Sequence, residues 1–114
     1  MKVAIVGSRD YPDPEAVRTY VRSLPKDTTV ISGGARGVDS WAVEEAIKAG
    51  LETEVFPADW KLYGKSAGYR RNSQIVAAAD KVIAFWDGKS RGTKHSMDLA
   101  DKEGKLILGL QELK

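Results

Sequence analysis

Short apolar runs alternate with segments of helical periodicity along almost the whole of this 114-residue chain. The first run, at residues 3–6 (VAIV), is continuously apolar and ends at Gly7, which is typical of a strand buried on both faces. Chains in which strands and helices alternate form parallel sheets whose two faces are covered by the helices. The alternation therefore predicts an α/β fold of three layers, α/β/α, around a five-stranded parallel sheet.

The pattern predicts where each strand and helix lies. Asp13 suits an N-cap and Pro14 a first helical position, and Pro25 ends this first helix. Further helices are predicted at residues 38–49, 67–79 and 93–103, and a long irregular loop at 57–66. The predicted strands cover residues 3–6, 28–31, 53–56, 81–86 and 105–110. The side chains expected to face solvent are Glu44, Glu45, Asp98 and Asp101.

The composition restricts the kinds of site that the chain can form. It has no cysteine, which excludes disulfides and thiolate metal sites, and its one histidine argues against a zinc site. The formal net charge of +2 is too small to indicate a nucleic-acid partner by itself. The apolar runs are too short to cross a membrane, and the N-terminus lacks a signal-peptide region. We therefore expect one cytoplasmic domain over residues 1–114 that binds no membrane.

A glycine-rich stretch, residues 32–39 (SGGARGVD), joins the second predicted strand to the second predicted helix. Such a strand, turn and helix can bind phosphate, because glycines let the backbone approach an anion and the helix N-terminus is positive. Arg36 adds a planar cation suited to phosphate. The alternative is a tight turn that needs glycine for its backbone alone, since the stretch matches neither G-x-G-x-x-G nor a Walker P-loop.

Two further glycine-containing loops begin at Gly7 and close to Gly88. We expect a Rossmann-like sheet of strand order 3-2-1-4-5, in which all three loops meet above the carboxyl ends of the strands, where such sheets bind ligands. We therefore expect one ligand site at this edge of the sheet. The hydroxyl and cationic side chains that these two loops would bring to it are Ser8, Arg9, Ser90, Arg91 and Thr93.

Arg71 and Asn72 are predicted to reach the same edge from the start of the third helix. The helix dipole makes Arg70 and Arg71 unfavourable there unless an anion offsets them, so we expect a phosphate or ribose contact and an exposed Arg71 in the free protein. A solvated helix start is the alternative. Asp39, in the first turn of the second helix, would accept a hydrogen bond from a ribose hydroxyl or a water, or would simply complement the helix dipole.

Two tryptophans, Trp60 and Trp86, are expected beside the cleft. Either could stack on a base, and packing beneath a loop is the alternative for each. No cofactor or protein-held metal site is predicted, although a nucleotide could bring Mg²⁺. The candidate carboxylates for that ion are Asp10, Asp59 and Asp87, whose spacing does not require one.

Five motifs along the chain resemble the YspA-like proteins of the SLOG superfamily, which is named for its Smf/DNA-processing protein A and Lonely Guy members. The motifs are GSRD (residues 7–10), SGGARGVD (32–39), FPADW (56–60), AGYRRN (67–72) and FWDGKSRGT (85–93). The resemblance covers nearly the whole chain, in order. It implies a Rossmann-like fold that binds a nucleotide or a nucleotide-derived ligand.

The Lonely Guy branch hydrolyses the N-glycosidic bond of cytokinin nucleotides, and its second motif reads P-G-G-x-G-T-x-x-E. Gly92 and Thr93 match the latter half of that motif, but Ser96 stands at the position of the catalytic glutamate. Ser96 shares a helix face with Thr93 and should point inward, whereas His95 should be exposed. The departure at Ser96 argues against hydrolase chemistry.

The resemblance also bears on the arginines and on assembly. Arg70 and Arg71 fall where Lonely Guy enzymes have their functional arginine, and Arg71 with Asn72 is similar to the Arg-Asn pair of the DNA-processing branch. Because Lonely Guy proteins are dimers, the resemblance implies a homodimer with a symmetric interface.

The leading hypothesis is a small domain that binds a nucleotide or nucleotide-derived molecule at the carboxyl edge of the sheet. The alternatives are a phosphoribohydrolase-like enzyme and a DNA-binding module. The enzyme would need a carboxylate at the anomeric carbon, for which the loop candidates are Asp39, Asp10 and Asp87, with Asp39 preferred. Nucleic acid is not the expected partner, because the arginines cluster in the cleft rather than along the surface. The predicted ligand-binding residues are Gly7, Ser8, Arg9, Ser32, Gly33, Gly34, Arg36, Gly37, Asp39, Arg71, Asn72, Asp87, Gly88, Ser90, Arg91, Gly92 and Thr93.

Overall fold

The computed structural model describes residues 1–108, which form a five-stranded parallel sheet of order β3-β2-β1-β4-β5. This confirms the predicted α/β fold and strand order. The part of the fifth strand predicted at residues 109–110 lies outside the described residues. The strands are β1 (Lys2–Gly7), β2 (Thr29–Ser32), β3 (Glu52–Val55), β4 (Lys81–Phe85) and β5 (Leu106–Leu108).

The helices follow the predicted pattern, with local differences at their ends. They are α1 (Pro14–Arg22), α2 (Val38–Lys48), α3 (Trp60–Tyr63), α4 (Ala67–Ala78) and α5 (Arg91–Lys102), with a 3₁₀ turn at Gly64–Ser66. The prediction of an irregular loop over residues 57–66 was wrong in part. Asp59 accepts a hydrogen bond from the Leu62 N–H at 3.0 Å and so begins α3. Helix α5 begins two residues earlier than predicted, because Ser90 caps it.

Strand β1 lies at the centre of the sheet because its side chains are apolar on both faces. Ala4 pairs with Ile31 of β2 and with Val82 of β4, and all three are buried. Alternate residues of the strands face opposite layers, as the two-residue period of a strand requires. Val3 and Ile5 belong to a core that packs against α1 and α2, whereas Ala4 belongs to a core that packs against α4 and α5.

The outward orientation predicted for two adjacent glutamates was wrong for one of them. Glu44 is exposed, but Glu45 is buried. Glu45 lies three residues after Ala42 and next to Ala46, and these three positions form the buried face of α2. Asp98 and Asp101 are exposed, as predicted.

None of the helices within residues 1–108 is both long enough and apolar enough to cross a membrane. The cytoplasmic location stays a prediction.

Candidate ligand-binding site

A cavity of about 530 Å³ opens at the carboxyl edge of the sheet, the edge that the strand order predicted for a ligand. Val6 and Gly7 at the end of β1 form part of its wall, and Asp39 in the first turn of α2 forms another part. Helix α4 contributes one face, and the segment from Asp87 to the first turn of α5 forms a further part of the lining. The volume lies within the range of small-molecule sites.

The structure brings part of the predicted site together around this cavity. Within the described part of the chain, Arg36 and Arg91 are exposed and do not line it, because both point from loop or helix positions that face solvent. The predicted residues that line it are Gly7, Arg9, Asp39, Arg71, Asn72, Asp87, Ser90, Gly92 and Thr93. The predicted residues that lie outside its lining are Ser8, Ser32, Gly33, Gly34, Arg36, Gly37, Gly88 and Arg91.

Two buried serines hold the loops beneath the cavity. The Ser8 hydroxyl accepts a hydrogen bond from the Asp87 N–H at 3.1 Å, which joins the loop after β1 to the loop after β4. The Ser32 hydroxyl accepts from the Gly34 N–H at 3.2 Å and donates to the Asp39 carbonyl at 3.2 Å. Both hydroxyls therefore take part in the protein's own hydrogen bonds.

The glycines of the stretch at residues 32–39 are required by the protein's own packing. A Cβ atom on Gly33 would lie 2.6 Å from Arg71 Nη1 and 2.9 Å from Asp39 Oδ2. Gly37 has a φ of +80° and lies against the backbone of Arg9, so a side chain there would be strained as well as crowded. These contacts support the alternative of a tight turn for the glycines themselves.

Arg71 and Asn72 join α4 to the loop after β2 and to the first turn of α5. Arg71 Nη1 donates to the Gly33 carbonyl at 2.7 Å, and Arg71 Nε donates to Asn72 Oδ1 at 3.1 Å. Asn72 Nδ2 in turn donates to the Gly92 carbonyl at 3.2 Å. The prediction of an exposed Arg71 was wrong, because these bonds hold it half-buried against the loop after β2.

The neighbouring arginine has a different environment. Arg70 is exposed, its Nε donates to the Ser66 hydroxyl at 3.1 Å, and its guanidinium lies 4.4 Å above the ring of Tyr63. Of the two arginines, Arg71 therefore lines the cavity and Arg70 does not.

Asp39 is a buried carboxyl at the cavity wall. Its Oδ2 accepts a hydrogen bond from the Ala35 N–H at 3.3 Å. Burial raises the pKa of Asp39 to about 6, against the opposing effects of the Ala35 N–H and of the positive charges of Arg71 and Arg9. Asp39 is thus an acidic group close to Arg71. Its carboxylate partly offsets the positive charge of Arg71, for which a bound anion was expected from the sequence.

Asp87 organises the loop that leads into α5. Its Oδ1 accepts from the Lys89 N–H at 2.8 Å and from the Ser90 N–H at 2.9 Å. The Ser90 N–H, followed by the Lys89 N–H, lowers the pKa of Asp87, so it is a carboxylate at neutral pH. Among residues 1–108, Asp10, Asp59 and Asp87 are not part of any group of three or more side chains that could hold a metal ion.

Several lining residues were not in the predicted set. Gly68, Tyr69 and Ile75 lie on the same face of α4 as Arg71 and Asn72, so extending the helical spacing from Arg71 would have found them. The side chains of Trp60, Lys65 and Lys89 also line the cavity. They belong to a four-residue helix, a 3₁₀ turn and a loop, where sequence periodicity does not predict the direction of a side chain. The other lining residues outside the predicted set are Val6, Asp10, Ala35 and Ser96.

Three further side chains lie in or near the cavity, in α5 and just after the end of β4. Ser96 is buried and lines the cavity, in agreement with its expected inward direction. His95 is half-buried rather than exposed, because its ring packs 4.3 Å from the ring of Tyr69 and its Nδ1 lies 3.4 Å from Asn72 Nδ2. Trp86 is half-buried, and its indole N–H donates to the Ser90 carbonyl at 3.0 Å.

Known structures share this fold. DNA processing protein A (DprA) from Streptococcus pneumoniae aligns with a TM-score of 0.80 at 22% identity, over 94% of this chain and 49% of that one, so this chain spans about half its length. DprA from Helicobacter pylori, described for its unique single-stranded DNA binding mode, aligns with a TM-score of 0.69 at 25% identity over 99% and 71% of the two chains. The protein TM1055 aligns with a TM-score of 0.68 at 23% identity over 93% and 72%. These likenesses confirm the Rossmann-like fold.

Sequence comparison identifies the family. The Gene 61 protein of Mycobacterium phage D29 is 36% identical over 114 residues, and the match covers 90% of each protein. The model of a family described as YspA, cpYpsA-related SLOG matches residues 1–63. Both findings agree with the resemblance noted from the motifs. The chain belongs to the YspA and cpYpsA-related SLOG family.

Proposed function

We propose that the protein binds a nucleotide or a nucleotide-derived molecule in the cavity at the carboxyl edge of its sheet. The observation that carries this proposal is the combination of anion-binding groups and aromatic side chains around one cavity of suitable volume. The described residues that supply them come from the loops after β1 and β4, from the start of α5, and from α3 and α4.

The groups suited to phosphate lie on two sides of the cavity. The N-terminus of α5 borders it with Ser90, Gly92 and Thr93, and a helix N-terminus of this length attracts an anion. Arg71 is fixed by the Gly33 carbonyl through one of its nitrogens, so its guanidinium is already oriented before a ligand arrives. Arg9 lines the cavity from the loop after β1 and adds a second cation.

A thermal-shift screen of nucleoside mono- and diphosphates, ADP-ribose and NAD tests the proposal. A ligand that binds the folded state alone raises the free energy of unfolding by about 2.7 kcal/mol at a hundredfold excess over its Kd. We expect at least one compound to raise the melting temperature clearly. A screen in which none of them does so at millimolar concentration would contradict the proposal.

A second candidate function is binding of single-stranded nucleic acid, contrary to the expectation from the sequence. Residues 60–79 contain no aspartate or glutamate, and exposed aromatic and cationic side chains alternate at their start. Aromatic platforms interleaved with cations bind single strands without sequence preference. The likeness to H. pylori DprA favours the same idea. The exposed side chains concerned are Trp60, Lys61, Tyr63, Lys65, Tyr69 and Arg70.

Salt dependence separates the two candidates. If the exposed cations bind a phosphate backbone, the affinity for an oligo(dT) strand will fall steeply as salt rises, because counterions are released on binding. A mononucleotide in the cavity should show a much shallower dependence. If the protein does not bind oligo(dT) even at low salt, the second candidate function is ruled out.

We propose that the protein binds the nucleotide without hydrolysing it rapidly. Ser96 lies in the cavity where Lonely Guy enzymes have a glutamate, and a serine hydroxyl needs a separate base to act at neutral pH. Asp39 is the candidate carboxylate if a glycosidic bond is cleaved, because it lines the same cavity and its pKa of about 6 suits proton transfer. Mg²⁺, if it takes part, would arrive with the ligand's phosphates.

A further inference from the structure

We infer that Trp60 contacts the base of the bound ligand, so that the aromatic base as well as the phosphate determines affinity. The inference rests on the proposed nucleotide-binding function and deepens it. Trp60 lines the cavity and is 58% exposed, which leaves much of its indole surface free for a planar partner. The other tryptophans differ: Trp41 packs half-buried against the core, and Trp86 is bonded to the Ser90 carbonyl.

The position of Trp60 relative to the arginine follows from α4. Its Cη2 atom lies 3.5 Å from the point where a Cβ of Gly68 would stand, so the indole rests on the first turn of that helix. Gly68 and Arg71 are three residues apart on one face of α4, and both line the cavity. The indole therefore borders the cavity about one helical turn, roughly 5 Å along the axis, from Arg71.

A second aromatic side chain also lines the cavity. Tyr69 is 48% exposed, and its ring lies 4.3 Å from the ring of His95 in α5. Ser90 and Thr93 line the cavity from the start of the same helix. Aromatic and anion-binding groups thus border one cavity, as a site for a nucleoside phosphate requires.

The chemistry of the indole also restricts the selectivity to be expected. Stacking on an indole uses the π-face that every base has, so affinity should depend strongly on the presence of a base and weakly on which base it is. We therefore assign the site to nucleoside 5′-phosphates as a class, with the base at Trp60 and the phosphate at Arg71 and the start of α5.

Calorimetric titration of the full chain with 5′-AMP, 5′-GMP, 5′-CMP, 5′-UMP and ribose 5-phosphate tests the inference. In Trp60→Ala the affinity for the nucleotides should fall at least about fivefold, because base–aromatic stacking is lost, whereas the affinity for ribose 5-phosphate should stay within about twofold. Trp60→Phe should retain most of the nucleotide affinity. Leu62→Ala is the matched control, since Leu62 is exposed on the same short helix and lies outside the cavity lining.

Tryptophan fluorescence provides a readout that a merely structural role would not change. Nucleotides should quench the emission of the wild type and of Leu62→Ala, and the quenching should be absent in Trp60→Phe. Nucleotide affinity unchanged in Trp60→Ala, or an equal loss for ribose 5-phosphate, would overturn the inference while leaving the proposed function intact. Failure of the wild type to bind any of the five compounds would overturn the inference, and the thermal-shift results for the diphosphates, ADP-ribose and NAD would then decide the proposed function.

Discussion

Asp39 is the residue whose environment most clearly opposes the stability of the fold. Its pKa rises from an ordinary 3.8 to about 6 on folding, chiefly because the carboxyl is buried. The folded protein therefore holds a proton that the unfolded chain releases between these pH values, and the free energy of unfolding decreases as pH rises from 3.8 to about 6. The difference corresponds to about 3 kcal/mol. A carboxyl that is buried at this cost in stability is a candidate for a functional site.

Asp39→Asn should therefore stabilise the protein above pH 6 by up to about 3 kcal/mol and have little effect near pH 4. The amide oxygen can still accept the Ala35 N–H, so the turn is kept. Urea unfolding at several pH values between 4 and 7.5 measures this, with Asp101→Asn as an exposed control. An Asp39→Asn protein that shows the wild-type pH dependence would contradict the assignment.

Ser96 decides what chemistry we expect of the cavity. A glutamate at this position would supply general acid–base help worth roughly 10²–10⁴ in rate, and the serine supplies none without a base. His95 cannot readily serve, because its ring packs on Tyr69 and its Nδ1 lies beside Asn72. We predict release of free base from AMP well below about one per second for the wild type, with a gain in Ser96→Glu. Wild-type turnover near that rate would instead implicate Asp39.

At the scale of elements, α4 connects the loop after β2 with the first turn of α5 through two adjacent side chains, Arg71 and Asn72. Asn72→Ala removes both the bond to the Gly92 carbonyl and the one from Arg71 Nε. Because Asn72 is buried, we expect a loss of about 1–3 kcal/mol in the free energy of unfolding. Ser73→Ala is the matched control, since the Ser73 hydroxyl is exposed and bonds within its own helix. Equal stability of the two variants in thermal denaturation would show that the hydrogen bonds of Asn72 do not stabilise the fold.

The elements that sequence reasoning found and missed differ in a physical way. Strands β1 and β4 are apolar on both faces and so could be recognised, with their order, from the alternation of strands and helices. Helix α3 has four residues, none of them buried, and depends on the Asp59 cap, so no apolar period marks it. Arg36 was predicted to reach the site but is exposed. Its direction could not be predicted, because side chains in a loop follow no regular period.

At the scale of the whole molecule, the remaining prediction is assembly. We propose a homodimer on the resemblance to Lonely Guy proteins, and α2 carries an exposed apolar residue, Ile47, that a symmetric interface could cover. Light scattering at tens of micromolar should give twice the mass of the 12.5 kDa chain. A monomeric mass would contradict the proposal.

Two adjacent arginines on α4 allow a direct test of whether the cavity binds a nucleotide through Arg71. The measurement is calorimetric titration of the wild type, Arg71→Gln and Arg70→Gln with the nucleotide that raises the melting temperature most. Loss of a charge-assisted hydrogen bond should weaken binding by about tenfold or more in Arg71→Gln, whereas Arg70→Gln should bind like the wild type, because Arg70 packs on Tyr63 outside the cavity lining. Unchanged nucleotide affinity in a folded Arg71→Gln protein would contradict binding through Arg71.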